Sequence, residues 1–236
     1  MGEHERSAVM KRLIVFDFDG VIADSEILAN TVLAELVTEL GTPMTLEMSL
    51  ARFMGKRAEE VLAAVGAATG RTTTLEAIGD ELKRRTLARF RSDLREIPGV
   101  RGYLAAFPGL KRCIGSSSSP DRLAACLDIL GLVDAFGEHV YSASQVPRGK
   151  PHPDLFLHAA SRLGVDPADA IVIEDSEGGI RAAVAAGMTP IGLLAASHIR
   201  DGHEARLRSA GAAHVARNYG ELETITRALV SSGSEL

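Results

Sequence analysis

Asp17 and Asp19, two acids separated by one residue, stand where the apolar run Leu13-Ile14-Val15-Phe16 gives way to Gly20. Far along the chain the pattern recurs, with Ile171-Val172-Ile173 leading into Glu174-Asp175-Ser176. A short, continuous apolar run bounded by a breaker predicts a strand buried on both faces, as in a parallel sheet. Paired carboxylates at the ends of two such strands repel one another unless a cation lies between them, and a divalent ion is the usual remedy. Asp17, Asp19, Glu174 and Asp175 are therefore candidate ligands of a hard metal such as Mg²⁺, with one acid to spare for chemistry. Asp19-Gly20 taken alone suits a turn, and Glu174-Asp175 a helix start. Those readings leave Asp17 unexplained, and the matching acids on two strands outweigh them.

The elements that must position these acids follow a simple pattern. A strand over 13–18 leads into a helix from about 24 to 40 that stops at Gly41. Residues 42–95 contain no strand pattern. Helices are expected near 46–52, 57–69 and 74–94, joined by Gly55, Gly70 and the threonines at 72–74. After residue 98 strands and helices alternate. Strands are expected near 111–115, 138–142, 170–174, 188–193 and 213–216, and helices near 99–107, 120–130, 152–164, 176–186, 200–209 and 219–231. Such alternation predicts an α/β fold, a doubly wound parallel (Rossmann-like) sheet with helices on both faces. The expected division is a core of residues 1–24 and 97–236 and an inserted all-helical domain over 25–96. Its two crossings, near Asp24-Ser25 and near Glu96–Pro98, form a hinge.

Open parallel sheets bind ligands beyond the carboxyl ends of their strands. Those ends carry Asp17 and Asp19, then Ser116-Ser117-Ser118-Ser119, then Glu174 and Asp175, with Arg148-Gly149-Lys150-Pro151 in a nearby loop. Acids, hydroxyls and a lysine around one point suit phosphoryl transfer. A carboxylate can attack phosphorus to give an aspartyl-phosphate, splitting one hard displacement into two easier ones. Mg²⁺ would screen the acids from the anionic substrate. The serine run precedes a helix opened by Pro120, so the Ser116 hydroxyl and Ser117 backbone form a phosphate cradle, while Ser118 or Ser119 caps the helix. Lys150 is the compact charge that pairs a nucleophile with the phosphoryl oxygens. Lys56 and Arg57, after Gly55, suit substrate contacts and a solvated helix start equally. Arg148 reads as surface, and the seven histidines are assigned no chemistry.

Composition bounds the function classes. The 236 residues are 46% hydrophobic and 24% charged, enough for a full core and unlike a disordered chain. A net charge of -5, no Trp and only 4% aromatics argue against nucleic acid as a partner. No apolar stretch reaches membrane-spanning length and residues 1–12 lack a signal-peptide core, so a cytoplasmic protein without a membrane partner is expected. Cys113 and Cys126 read as reduced, half-buried thiols.

Asp17-x-Asp19-Gly20, Ser116, Lys150 and Glu174-Asp175 occur in the order and context of the four motifs of the haloacid dehalogenase superfamily, which the chain resembles from about residue 12 to 218. Gly20-Val21-Ile22-Ala23-Asp24-Ser25-Glu26 and Lys150-Pro151-His152-Pro153-Asp154 resemble its sugar-phosphate phosphatase and β-phosphoglucomutase branch. The resemblance implies that the helical insert is a cap closing over the substrate. It implies Asp17 as nucleophile and Asp19 as general acid/base. It places Mg²⁺ on Asp17, the Asp19 backbone carbonyl and Asp175, with Glu174 as ligand or near-ligand. Ser117, Lys56, Arg57 and Gly20 are the candidate substrate-binding positions. The dehalogenase and phosphonate-cleaving branches lack the second aspartate, here Asp19.

The expected activity is a Mg²⁺-dependent phosphatase acting on a small phosphorylated metabolite, a sugar or sugar-acid phosphate, as a monomer or weak homodimer. The alternative is a β-phosphoglucomutase-like phosphomutase. In that pattern a lysine, an arginine and a histidine hold a second phosphate. Here the corresponding places are Ser119, Ala58 and Ala29, which favours the phosphatase.

Overall fold

The computed structural model describes residues 11–54, 56, 58–71 and 74–231. The chain runs β1 (Leu13–Phe16), α1 (Glu26–Glu39), α2 (Leu46–Phe53), α3 (Ala58–Thr69), α4 (Leu75–Asp93) and α5 (Val100–Ala106). It continues β2 (Lys111–Ser116), α6 (Pro120–Leu130), α7 (Val133–Phe136), β3 (Val140–Ser142), α8 (Asp154–Leu163) and β4 (Ala170–Glu174). Last come α9 (Glu177–Ala185), β5 (Thr189–Leu193), α10 (His203–Ser209), β6 (His214–Ala216) and α11 (Tyr219–Ser231). The six strands form one sheet in the order β3-β2-β1-β4-β5-β6, and every neighbouring pair is parallel.

β1 lies at the middle of this sheet, and all four of its residues are buried. Ile14 and Phe16 pack into the core on one face with Tyr103, Ile114 and Ile171. Leu13 and Val15 pack on the other with Cys113, Phe156 and Val172. Burial on both faces is why the strand is uniformly apolar instead of alternating. Strand pairing outlasts the apolar run by one residue, since the Asp17 N–H donates to the Ile173 carbonyl at 2.9 Å. β1 and β4 therefore release Asp17 and Glu174 at the same sheet edge.

The four helices α1 to α4 lie between β1 and β2 and hold a small core of their own, built on Leu33, Val37, Phe53, Val65 and Ile78. The two segments joining this block to the sheet run side by side. Asp24 N–H donates to Arg95 at 2.9 Å and Ile97 N–H to Ile22 at 2.8 Å. Block and sheet layer also meet where Lys83 on α4 pairs with Asp121 on α6 at 2.8 Å. Two details depart from expectation. The helix α7 was not foreseen, because four residues are too few to show a helical period. Cys113 and Cys126 are fully buried, not half-buried, and burial pushes both thiols up, Cys126 to about 12.

Candidate active site

The carboxyl ends of β1, β2 and β4 border a cavity of about 820 Å³ between the sheet and the helical block. Asp17, Asp19, Ser116, Ser117, Lys150 and Asp175 line it, and Lys56 lies on its helical wall. Arg57 and Gly55 lie outside the described residues. Lys150 reaches Asp17 Oδ1 at 2.7 Å and Glu174 Oε1 at 2.5 Å, with only 6% of its side chain exposed. Burial alone would lower the lysine pKa, but the two carboxylates outweigh it and raise it.

Ligand atoms of Asp17, Glu174 and Asp175 lie within 4.8 Å of one another, and all three residues are buried. Burial, then the Glu174 charge, push both Asp17 and Asp175 well above the usual carboxylate range despite Lys150. Glu174 Oε2 accepts from the Asp175 and Ser176 N–H groups and from Ser176 Oγ at 2.8 Å. Its Oε1 has Lys150 close by but no well-aligned hydrogen bond. Three hard carboxylates with one lysine to offset them form a donor set that fits a metal ion. Asp17, Glu174 and Asp175 would hold such an ion.

Two glycines let these acids approach the backbone. Gly20 turns the chain at φ +78°, and a Cβ there would lie 1.8 Å from Asp175 Oδ2. Gly20 is absent from the cavity wall; its place is beneath Asp175. A Cβ on Gly179 would lie 1.8 Å from the Glu174 carboxyl carbon.

Asp19 faces the other way. Its side chain is not in the carboxylate trio; it accepts from Ser25 Oγ, from Ser118 Oγ at 2.6 Å and from Arg122 at 2.7 Å. Burial would raise its pKa, but Arg122 and the two serines outweigh burial and lower it. Arg122 sits in the first turn of α6, its guanidinium over the Phe90 ring of α4 at 5.1 Å.

The serine run divides its work. Ser116 is buried at the end of β2, and its Oγ accepts from the Ser118 N–H at 3.1 Å. Ser118 bonds Asp19, and Ser119 caps α6. Ser142 donates to the Ser118 carbonyl at 2.7 Å and steadies the loop.

Several residues here carried no signal in the sequence. Arg122 and Ser118 look like ordinary helix-start residues until Asp19 is placed beside them. His198 and His203 lie more than twenty residues beyond Asp175, yet both pack against it. Glu26, at the start of α1, also faces the cavity; burial, then the Asp19 charge, raise its pKa to about 7.

Comparison with known proteins agrees with this geometry. The family model described as haloacid dehalogenase-like hydrolase matches residues 11–187. Hexitol phosphatase B of Escherichia coli is 32% identical over 75% of this chain and 81% of its own. Beta-phosphoglucomutase of Bacillus subtilis is 31% identical over 77% of this chain and 83% of its own. A haloacid dehalogenase family hydrolase of Deinococcus radiodurans, solved with bound phosphate and sodium, superposes with a TM-score of 0.75 at 35% identity, covering 94% of this chain and 97% of its own. A parallel sheet with acids at its strand ends, a buried lysine and the matched sequence make this chain a member of the haloacid dehalogenase-like hydrolase family.

Proposed function

We propose that this phosphatase hydrolyses the monoester of a phosphorylated sugar, polyol or sugar acid in two displacements, with Asp17 as nucleophile. The observation that carries the reading is the buried Lys150 held at once to Asp17 and Glu174, facing Ser116 across the same cavity. An Asp17 oxygen attacks phosphorus, the P–O bond to the sugar breaks, and the leaving oxygen takes a proton from Asp19. Water then attacks the aspartyl-phosphate, Asp19 takes its proton, and inorganic phosphate leaves with the Asp17 carboxylate restored. Ser116 and the Ser117 N–H bind the phosphoryl oxygens, and Lys150 offsets their charge. Mg²⁺ held by Asp17, Asp175 and the Asp19 carbonyl, with Glu174 beside it, would supply further charge stabilisation. Residues 25–96 act as a cap that limits water around the leaving group.

Transfer back to a sugar would need a grip on a second phosphate. The places where a mutase carries cations, Ala29, Ala58 and Ser119, all face the cavity here and are uncharged. Lys83 faces it too but is engaged with Asp121, which leaves Lys56 on the helical wall as a cation able to stand in for the missing arginine. The three uncharged places support water as the acceptor. Phosphorus NMR of β-glucose 1-phosphate with enzyme, Mg²⁺ and priming bisphosphate tests the choice. Free phosphate or no reaction is expected; accumulating glucose 6-phosphate would make the chain a mutase. A panel of phosphorylated sugars, polyols and sugar acids, read by phosphate release, then identifies the substrate.

A further inference from the structure

We propose that His198 and His203 are positioning residues for Asp175, fixing the direction from which its carboxylate meets Asp17 and Glu174 and so how tightly the trio binds a divalent cation. The inference rests on the metal-site reading above.

The chain beyond β5 crosses back over the end of β4. Ser197 anchors this segment at the hinge, its N–H and Oγ donating to Asp24 Oδ1 at 3.1 and 2.8 Å. The next residue, His198, is 5% exposed and places Nε2 3.2 Å from Asp175 Oδ2, a close contact without a well-aligned hydrogen bond. His203, the first residue of α10, is 4% exposed and places Nε2 2.5 Å from the Asp175 carbonyl oxygen. Its Nδ1 lies 2.9 Å from Arg206 Nη2. A guanidinium only donates, so Nδ1 accepts and Nε2 carries the proton given to Asp175. Arg206 thus selects the tautomer that can hold the main chain of Asp175.

The two rings meet edge to face, 6.2 Å apart at 75°. On the opposite side Gly20 leaves no spare room, since a Cβ there would sit 2.9 Å from His198 Cε1. Asp175 is therefore gripped at its backbone by one histidine and faced at its carboxylate by another. A grip is needed because the trio repels itself: without support, the Asp175 side chain gains by turning from Glu174. Partners outside the ligand shell commonly govern metal affinity, and removing one typically costs about 10–100-fold.

The test is calorimetric titration of Mg²⁺ into full-length, metal-stripped protein. His198→Leu and His203→Leu should each weaken binding about 10–100-fold. His203→Gln, whose amide N–H can still reach the Asp175 carbonyl, should retain most of the affinity. In the same variants, the Mg²⁺ concentration for half activity should rise, while KM for the phosphate ester at saturating Mg²⁺ stays close to wild type. Melting curves with and without Mg²⁺ cover any variant that loses stability. A smaller Mg²⁺-induced rise in Tm than wild type supports the proposal. Wild-type affinity or an undiminished rise in both leucine variants overturns it, as does a His203→Gln protein no better than His203→Leu. A wild-type chain that takes up no Mg²⁺ would instead refute the metal site itself, and the inference with it.

Discussion

Asp17 and Asp19 are two residues apart in the chain, yet their surroundings push them in opposite directions. Asp17 belongs to a crowded set of buried acids offset by one lysine, and its proton affinity is raised. Asp19 is ringed by donors from α6 and from the loops before α1 and α6, and its proton affinity is lowered. Under the proposed mechanism the contrast falls between two roles. A carboxylate among other carboxylates is poised for a cation and an attacked phosphorus. One surrounded by hydroxyls and a guanidinium stands apart, where the leaving oxygen can be met. These proton affinities belong to the metal-free site; a cation held by the trio would favour the ionised Asp17, so the proposed roles rest on position and not on the pKa directions.

The contrast can be broken most severely at the nucleophile. Asp17→Asn should abolish turnover, with a loss of at least about 10⁴-fold in kcat for any phosphate ester. Steady-state phosphate release checks this, and a variant within tenfold of wild type would contradict the role.

Asp19→Asn should be uneven. General acid/base help is worth about 10²–10⁴-fold, so a sugar phosphate with a poor leaving group should lose that much. For p-nitrophenyl phosphate, whose p-nitrophenolate leaves without a proton, the pre-steady-state burst that reports attack by Asp17 should lose far less, while the later water step slows for both esters. Equal losses in the rate of the phosphorylation step for both esters would remove the acid/base assignment.

The same two variants should move stability in opposite senses. Asp17 has a folded pKa above its unfolded value, so without metal its contribution falls as pH rises through that range. Asp19 has a folded pKa below its unfolded value, so its contribution is present at neutral pH and lost in acid. Urea unfolding in EDTA at neutral pH should show Asp17→Asn neutral or stabilised by about 1 kcal/mol. Asp19→Asn should be destabilised by roughly 1–3 kcal/mol, because Arg122 and two serines lose a charged partner. Parallel shifts would mean that the two surroundings do not differ as described.

The smallest effect concerns Glu26. Its pKa, raised to about 7, makes stability fall between the ordinary glutamate range and neutral pH. Glu26→Gln should flatten that slope in metal-free protein, measured as unfolding midpoint against pH; an unchanged slope would contradict the assignment.

Much of this site was legible because parallel strands write in runs. Leu13–Phe16 and Ala170–Glu174 are buried on both faces, so apolar continuity marks them and the acids after them stand out. The serine loop and Lys150 were legible because loops beyond strand ends must carry the chemistry. The rest needs contacts that no local pattern encodes. Arg122 reads as one more charged residue in a helix start until β1 sets Asp19 against it. His198 and His203 gain meaning only when the chain beyond β5 folds over Asp175. The helix α7 escaped because one turn carries no period.

The central claim is that phosphorus is transferred to Asp17. The direct measurement is acid quenching of the Asp19→Asn protein during turnover of p-nitrophenyl phosphate with Mg²⁺, followed by mass spectrometry of its peptides. One phosphoryl group on the peptide bearing Asp17, absent from the Asp17→Asn protein treated alike, is the predicted result. A phosphoryl group on the serine loop at 116–119, or turnover with Asp17 never modified, would contradict it.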